Sequence, residues 1–97
     1  MQIDRMNVGE WGKIKAFFDI KTSEGFVLKG FKLIEGINGL FVGFPSQKDN
    51  EGEYRDTIWA EKEVREHITK LAINELRAPS SQTQYNGGRD EQQNRQY

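Results

Sequence analysis

Lys48 and Arg55 are the only two basic residues between positions 36 and 60, and they bracket a polar loop, Gln47 to Gly52. Two cations across a short loop have the types and spacing to hold phosphate oxygens by charge-assisted hydrogen bonds. Asp49, Glu51, Glu53 and Asp56 crowd the same stretch. They could repel a phosphate or occupy the cations instead, with Arg55 paired to Glu53 or Asp56. Further along, Lys62, Arg65 and Lys70 each have a carboxylate four residues away, as Glu61 to Arg65, Lys62 to Glu66 and Glu66 to Lys70. On a helix such pairs make a solvated, salt-bridged face. Lys13, Lys15, Lys21 and Lys32 form a third basic group. Trp11, Phe17, Tyr54 and Trp59 could stack on nucleic-acid bases, although core packing accounts for most aromatics in a chain of this kind.

Other chemistries find little material. His67 is the single histidine and there are no cysteines, which leaves no usual transition-metal ligand set, no disulfide and no thiol nucleophile. No serine–histidine–acid set stands out, so neither catalysis nor a cofactor is expected. Gly36 and Gly39 are not followed by a helix, and no G-x-x-x-x-G-K-[ST] is present. They read as turn glycines, not as a phosphate loop.

The elements that must position these groups can be read from periodicity. Ile14, Ala16, Phe18 and Ile20 alternate with Lys13, Lys15, Asp19 and Lys21, the pattern of a half-buried strand. Thr22 to Gly25 supply a turn, and Phe26 to Ile34 is a second strand. A four-residue loop would set Ala16 opposite Phe31, Phe17 opposite Gly30 and Lys15 beside Lys32. Leu40 to Phe44 reads as a third strand ended by Pro45, Tyr54 to Trp59 as a fourth, and Met1 to Asp4 as a short additional edge. From Ala60 to Arg77 the period turns helical, with Val64, Ile68, Leu71, Ala72 and Leu76 on one stripe. Pro79 stops the helix.

The expected fold is therefore α+β: an antiparallel sheet of four or five strands, one C-terminal amphipathic helix, then a tail. The chain divides into a domain at 1–78 and a polar segment at 79–97, too poor in apolar groups to offset its ordering entropy and expected to be disordered without contributing to folding. At 97 residues there is room for one core. The net charge of −1 gives no overall basic field, so a polyanion would need a local patch. The lack of cysteine and of a signal-peptide pattern leads us to expect a cytoplasmic protein without membrane association.

One stretch is more specific. Ile34-Glu35-Gly36-Ile37-Asn38-Gly39-Leu40-Phe41-Val42-Gly43-Phe44-Pro45-Ser46, followed by Gly52-Glu53-Tyr54-Arg55-Asp56, resembles the SpoVG septation-regulator family. That family's pattern has an acidic-Gly turn, Gly-Leu-Phe-Val, a Pro-Ser corner and Gly-Glu-aromatic-Arg-Asp. The resemblance runs from about Ile3 to Leu76. Phe44, Gly43 and Trp59-Ala60 stand where the family usually has Met, Ala and His-Pro, and Gln47-Lys48 replaces its usual basic pair. The resemblance implies a homodimeric DNA- or RNA-binding regulator, tied to septation, cell division and sporulation control, with no small-molecule cofactor. It makes Lys48 and Arg55 the leading phosphate contacts; Lys62, Arg65, Lys15 and Lys32 are further candidates from their charge and placement alone. A protein-interaction or dimerisation module without nucleic-acid binding is the alternative.

Overall fold

The computed structural model describes residues 1–86. Its elements in chain order are β1 (Gln2–Trp11), β2 (Ile14–Lys21), β3 (Val27–Gly36), β4 (Gly39–Gly43), β5 (Ser46–Lys48), β6 (Tyr54–Asp56), α1 (Lys62–Arg77) and β7 (Thr83–Asn86). Five strands form one sheet in the order β4-β3-β2-β1-β7, while β5 and β6 pair separately as a hairpin. All main-sheet pairings are antiparallel except that of β7 with β1.

Alternation decides which face is covered. Met6, Ala16, Phe18, Ile20, Phe31 and Leu33 point to one side and are fully buried with Ile68 and Ala72 of α1. Phe18 stacks on Phe31 with centroids 5.4 Å apart, and Phe44 meets Phe31 edge-on at 5.1 Å. These rings and the one helix among the described residues make a two-layer α+β core, as the apolar stripe of α1 requires. Helix α1 begins two residues later than the period suggested, because Glu61 is its extended N-cap. The amide of Ala78 bonds the Asn74 carbonyl at 2.9 Å, closing the helix just before Pro79.

Three sequence readings are corrected. First, β1 is a ten-residue strand paired along β2, and the expected short edge at Met1 to Asp4 is only its beginning. Second, the β2–β3 register is two residues away from expectation: Ala16 faces Leu33, Phe17 faces Lys32 and Phe18 faces Phe31. A five-residue loop, Thr22 to Phe26, supplies one residue of the shift and the bulge at Lys29 and Gly30 the other, while the bulge at Lys15 takes one back at Ile14. Lys15 is an extra residue on β2, and Lys29 with Gly30 together oppose Asp19. Gly30 takes φ +97°, which favours glycine at such a bulge, and donates its amide to Asp19 Oδ1 at 3.4 Å. Third, the segment expected to be a tail supplies β7. Met6 donates its amide to the Gln82 carbonyl at 2.8 Å, and the Glu75 carboxylate accepts from the Ser80 amide and hydroxyl and from the Thr83 hydroxyl. The remainder of that expected tail, from residue 87, lies outside the described residues.

Candidate nucleic-acid interface

The hairpin β5–β6 is built around Asp49. Its Oδ1 accepts the amides of Glu51 and Glu53, both at 2.9 Å, and its Oδ2 accepts Arg55 Nε at 2.7 Å. The Arg55 guanidinium, helped by those backbone amides, holds the Asp49 carboxyl below its ordinary range. Arg55 Nη2 lies 4.0 Å from Glu53. The partner is thus chiefly Asp49, across the loop, not the neighbouring Asp56. Lys48 sits across the ladder from Tyr54, is exposed, and has no ion-pair partner among the described residues. Lys48 and Arg55 therefore share one small hairpin, with Arg55 held in orientation and Lys48 unpaired.

The other candidates are scattered. Lys62 is exposed in the first turn of α1, while Arg65 turns inward. Arg65 Nε donates to the Ala60 carbonyl at 2.8 Å, and its guanidinium carbon lies 4.7 Å from the centroid of the Phe44 ring. Hydrogen bonding and a cation–π contact make Arg65 a clamp between the helix start and the sheet. No ion pair joins helix residues among the described residues, so the expected salt-bridged face is not formed there.

Lys15 and Lys32 were expected side by side and are separated. The bulge directs Lys15 to the helix side, where Nζ lies 3.3 Å from Glu35 and 3.5 Å from Glu10. The Glu35 hydrogen bond, with the nearby Glu10 charge, raises the Lys15 pKa above its ordinary value. Lys32 pairs with Phe17 and Gly43 on the opposite face of the sheet and is half-buried without an ion-pair partner.

The four aromatics singled out for stacking all lie outside the core. Tyr54 is 72% exposed, Trp59 71% and Trp11 38%, and Trp11 meets Phe17 edge-on with centroids 4.9 Å apart. His67 is exposed on α1, as its place in the helical pattern suggested. Asp49 was the organising residue that composition obscured. The signal was an Asx pattern, an aspartate preceding Asn50 and Gly52 in a tight loop.

The SpoVG family model matches residues 1–78. A protein of Agathobacter rectalis is 39% identical over 67 residues, covering 68% of this chain and 77% of its own. One from Clostridium perfringens strain 13 is 40% identical over 65 residues, covering 66% and 72%. A third, from Clostridium novyi strain NT, is 35% identical over 81 residues, covering 82% and 81%. Each relative is named as a candidate septation protein, SpoVG.

Proposed function

The chain belongs to the SpoVG family, and from that premise we propose that it is a non-enzymatic, cytoplasmic regulator that binds DNA or RNA as a homodimer and acts in septation or sporulation control. The observation that carries the reading is Lys48: an exposed cation with no acidic partner among the described residues, on the same hairpin as an Arg55 already oriented by Asp49. The register sets Lys48 on the Tyr54 face of the hairpin and Arg55 on the Gln47 face. A strand passing the hairpin would therefore present separate phosphates to a free ammonium on one face and to the outward NH groups of an oriented guanidinium on the other. Lys62 and Lys32 add unpaired charge elsewhere, whereas Lys15 and Arg65 are engaged within the protein. The net charge is −1, so contact is local, and phosphate contacts make affinity sensitive to salt.

The test is a gel shift with single- and double-stranded DNA and RNA, comparing the wild type with Lys48→Ala/Arg55→Ala. Affinity should fall across all sequences alike, because phosphate contacts carry no base information. Unchanged affinity in a folded double variant would remove the hairpin from the interface.

A protein-interaction module is the second reading. An apolar cavity of about 280 Å³ favours it: Phe44, Ile58, Trp59, Val64 and Ile68 are among its lining, beside the exposed Trp59 ring. Binding to a protein through that cavity would change little with salt, in contrast to phosphate contact.

A further inference from the structure

The sheet has a second face that α1 does not touch. Cross-strand pairing puts Trp11, Ile14, Ile34 and Phe41 in one row and Phe17, Lys32 and Gly43 in the next. None of these apolar residues takes part in the helix-side core. A Cβ added to Gly43 would meet Ile34 Cδ1 at 2.9 Å and Lys32 Cβ at 3.8 Å, which places both side chains on this outer surface. Phe41 is 49% exposed and its ring lies over Gly36, where an added Cβ would approach it to 3.0 Å. The absence of side chains at these two glycines keeps the aromatic surface low and open.

The same face carries further unneutralised charge. Arg5, Lys21, Lys29 and Lys32 fall on or beside it, against the carboxylates of Asp4 and Asp19. None of the four cations is held in an ion pair among the described residues, in contrast to Lys15 and Arg55. Asp19 is partly occupied by the Gly30 amide. A second copy laid face to face would bury two unpaired Lys32 ammoniums, and an unpaired charge is costly to desolvate. A single strand of nucleic acid suits the surface better. Its bases have apolar faces for the rings, and its phosphates complement the cations. Sheets that expose aromatics on neighbouring strands, with helices on the far side, stack unpaired bases in this way.

We infer that the open face of the main sheet is a base-stacking platform for single-stranded nucleic acid, with Trp11, Phe17 and Phe41 as the rings and Lys32 as a phosphate contact. The inference rests on the proposed nucleic-acid function and assigns single strands to a surface distinct from the β5–β6 hairpin. Duplex bases are already stacked, so the platform does not engage them.

The chain has two tryptophans, so Trp59→Phe leaves Trp11 as the only indole reporter. In that background an oligothymidylate or oligouridylate should quench Trp11 emission, and a duplex should not. Phe17→Leu and Trp11→Leu should each weaken single-strand binding about tenfold, with duplex affinity unchanged. Should Phe17→Leu fail to fold by circular dichroism, the exposed Phe41→Leu replaces it. Lys32→Gln should flatten the single-strand salt slope by about 0.7.

Unchanged single-strand affinity in these variants, with Lys48→Ala/Arg55→Ala weakening single strands and duplex alike, would overturn the platform and leave the nucleic-acid reading standing. Conversion of a dimer to monomer by Phe17→Leu or Phe41→Leu would overturn it by assigning the face to a second copy. Failure of the wild type to bind any oligonucleotide at low salt would overturn both readings together.

Discussion

Removal of β7 is the sharpest perturbation of the fold, because a strand of polar residues contributes only what its hydrogen bonds leave after ordering the chain. The comparison is between a chain ending at Asn86 and one ending at Pro79, which differ in the segment Ser80 to Asn86. The shorter chain loses the four-residue parallel pairing with Met6 to Gly9, the bond from the Met6 amide to the Gln82 carbonyl, and the Ser80 and Thr83 donors to Glu75. A ladder bond contributes about 1 kcal/mol net and a bond to a charged group about 1.5–3 kcal/mol. Ordering each backbone residue costs about 1–2 kcal/mol. Over seven residues these contributions nearly cancel, so the expected loss is about 1–2 kcal/mol, typical of removing one local hydrogen-bonded feature. For a domain of this size, each kcal/mol corresponds to about 4–8 °C. Thermal melts should therefore place the shorter chain about 5–15 °C lower, and hydrogen exchange at the Met6 amide should accelerate. Equal melting temperatures with unchanged Met6 protection would refute the docking of β7.

Phe31→Ala should cost about 3–5 kcal/mol in urea denaturation, because a fully buried ring stacked on Phe18 and met edge-on by Phe44 leaves a cavity. A loss below about 1 kcal/mol would contradict its place in the core. Acid should loosen β7 before the core: burial pushes the Glu75 carboxyl up, but bonds from Ser80 and Thr83 outweigh it and hold the group below its ordinary 4.5. A lowered folded pKa gives stability that is present above the unfolded value and lost as pH falls through the folded one. The chain ending at Asn86 should thus show an acid-dependent loss of Met6 protection that Glu75→Gln abolishes. Light scattering at micromolar concentration should give a dimer, twice the 11.2 kDa of one chain; a clean monomer mass would remove the homodimer from the proposal.

Much of the architecture was legible because it rests on apolar periodicity. The stripe Ile68, Leu71, Ala72 and Leu76 identified α1, and Gly36 with Gly39 marked the β3–β4 turn, where Gly39 takes φ +119°. Strand β1 was obscured because the bulge between Ile3 and Arg5 spaces Ile3 and Met6 three apart and breaks the alternation. The β2–β3 register escaped for a related reason: the bulges at Lys15 and at Lys29–Gly30 shift pairing by one residue each, in opposite senses, so the hairpin ends do not reveal the middle. Strand β7 gave no sign because edge pairing uses backbone groups that every residue carries. Leu28 and Ile73 pack against the core, while Phe26 remains exposed. At the candidate site, the positions of Lys48 and Arg55 were legible from the motif. The pairing of Arg55 with Asp49, the inward turn of Arg65 and the separation of Lys15 from Lys32 depended on loop closure and bulges, which composition does not encode.

The most direct test of the account is the salt dependence of oligonucleotide binding by the wild-type chain, followed by fluorescence anisotropy. A dimer that places Lys48 and Arg55 of each copy on phosphates should bind duplex DNA with log K falling linearly against log salt, at a slope of about −3 to −4. Absence of binding at low salt, or a slope near zero, would contradict the claim that this protein recognises nucleic acid through its phosphates.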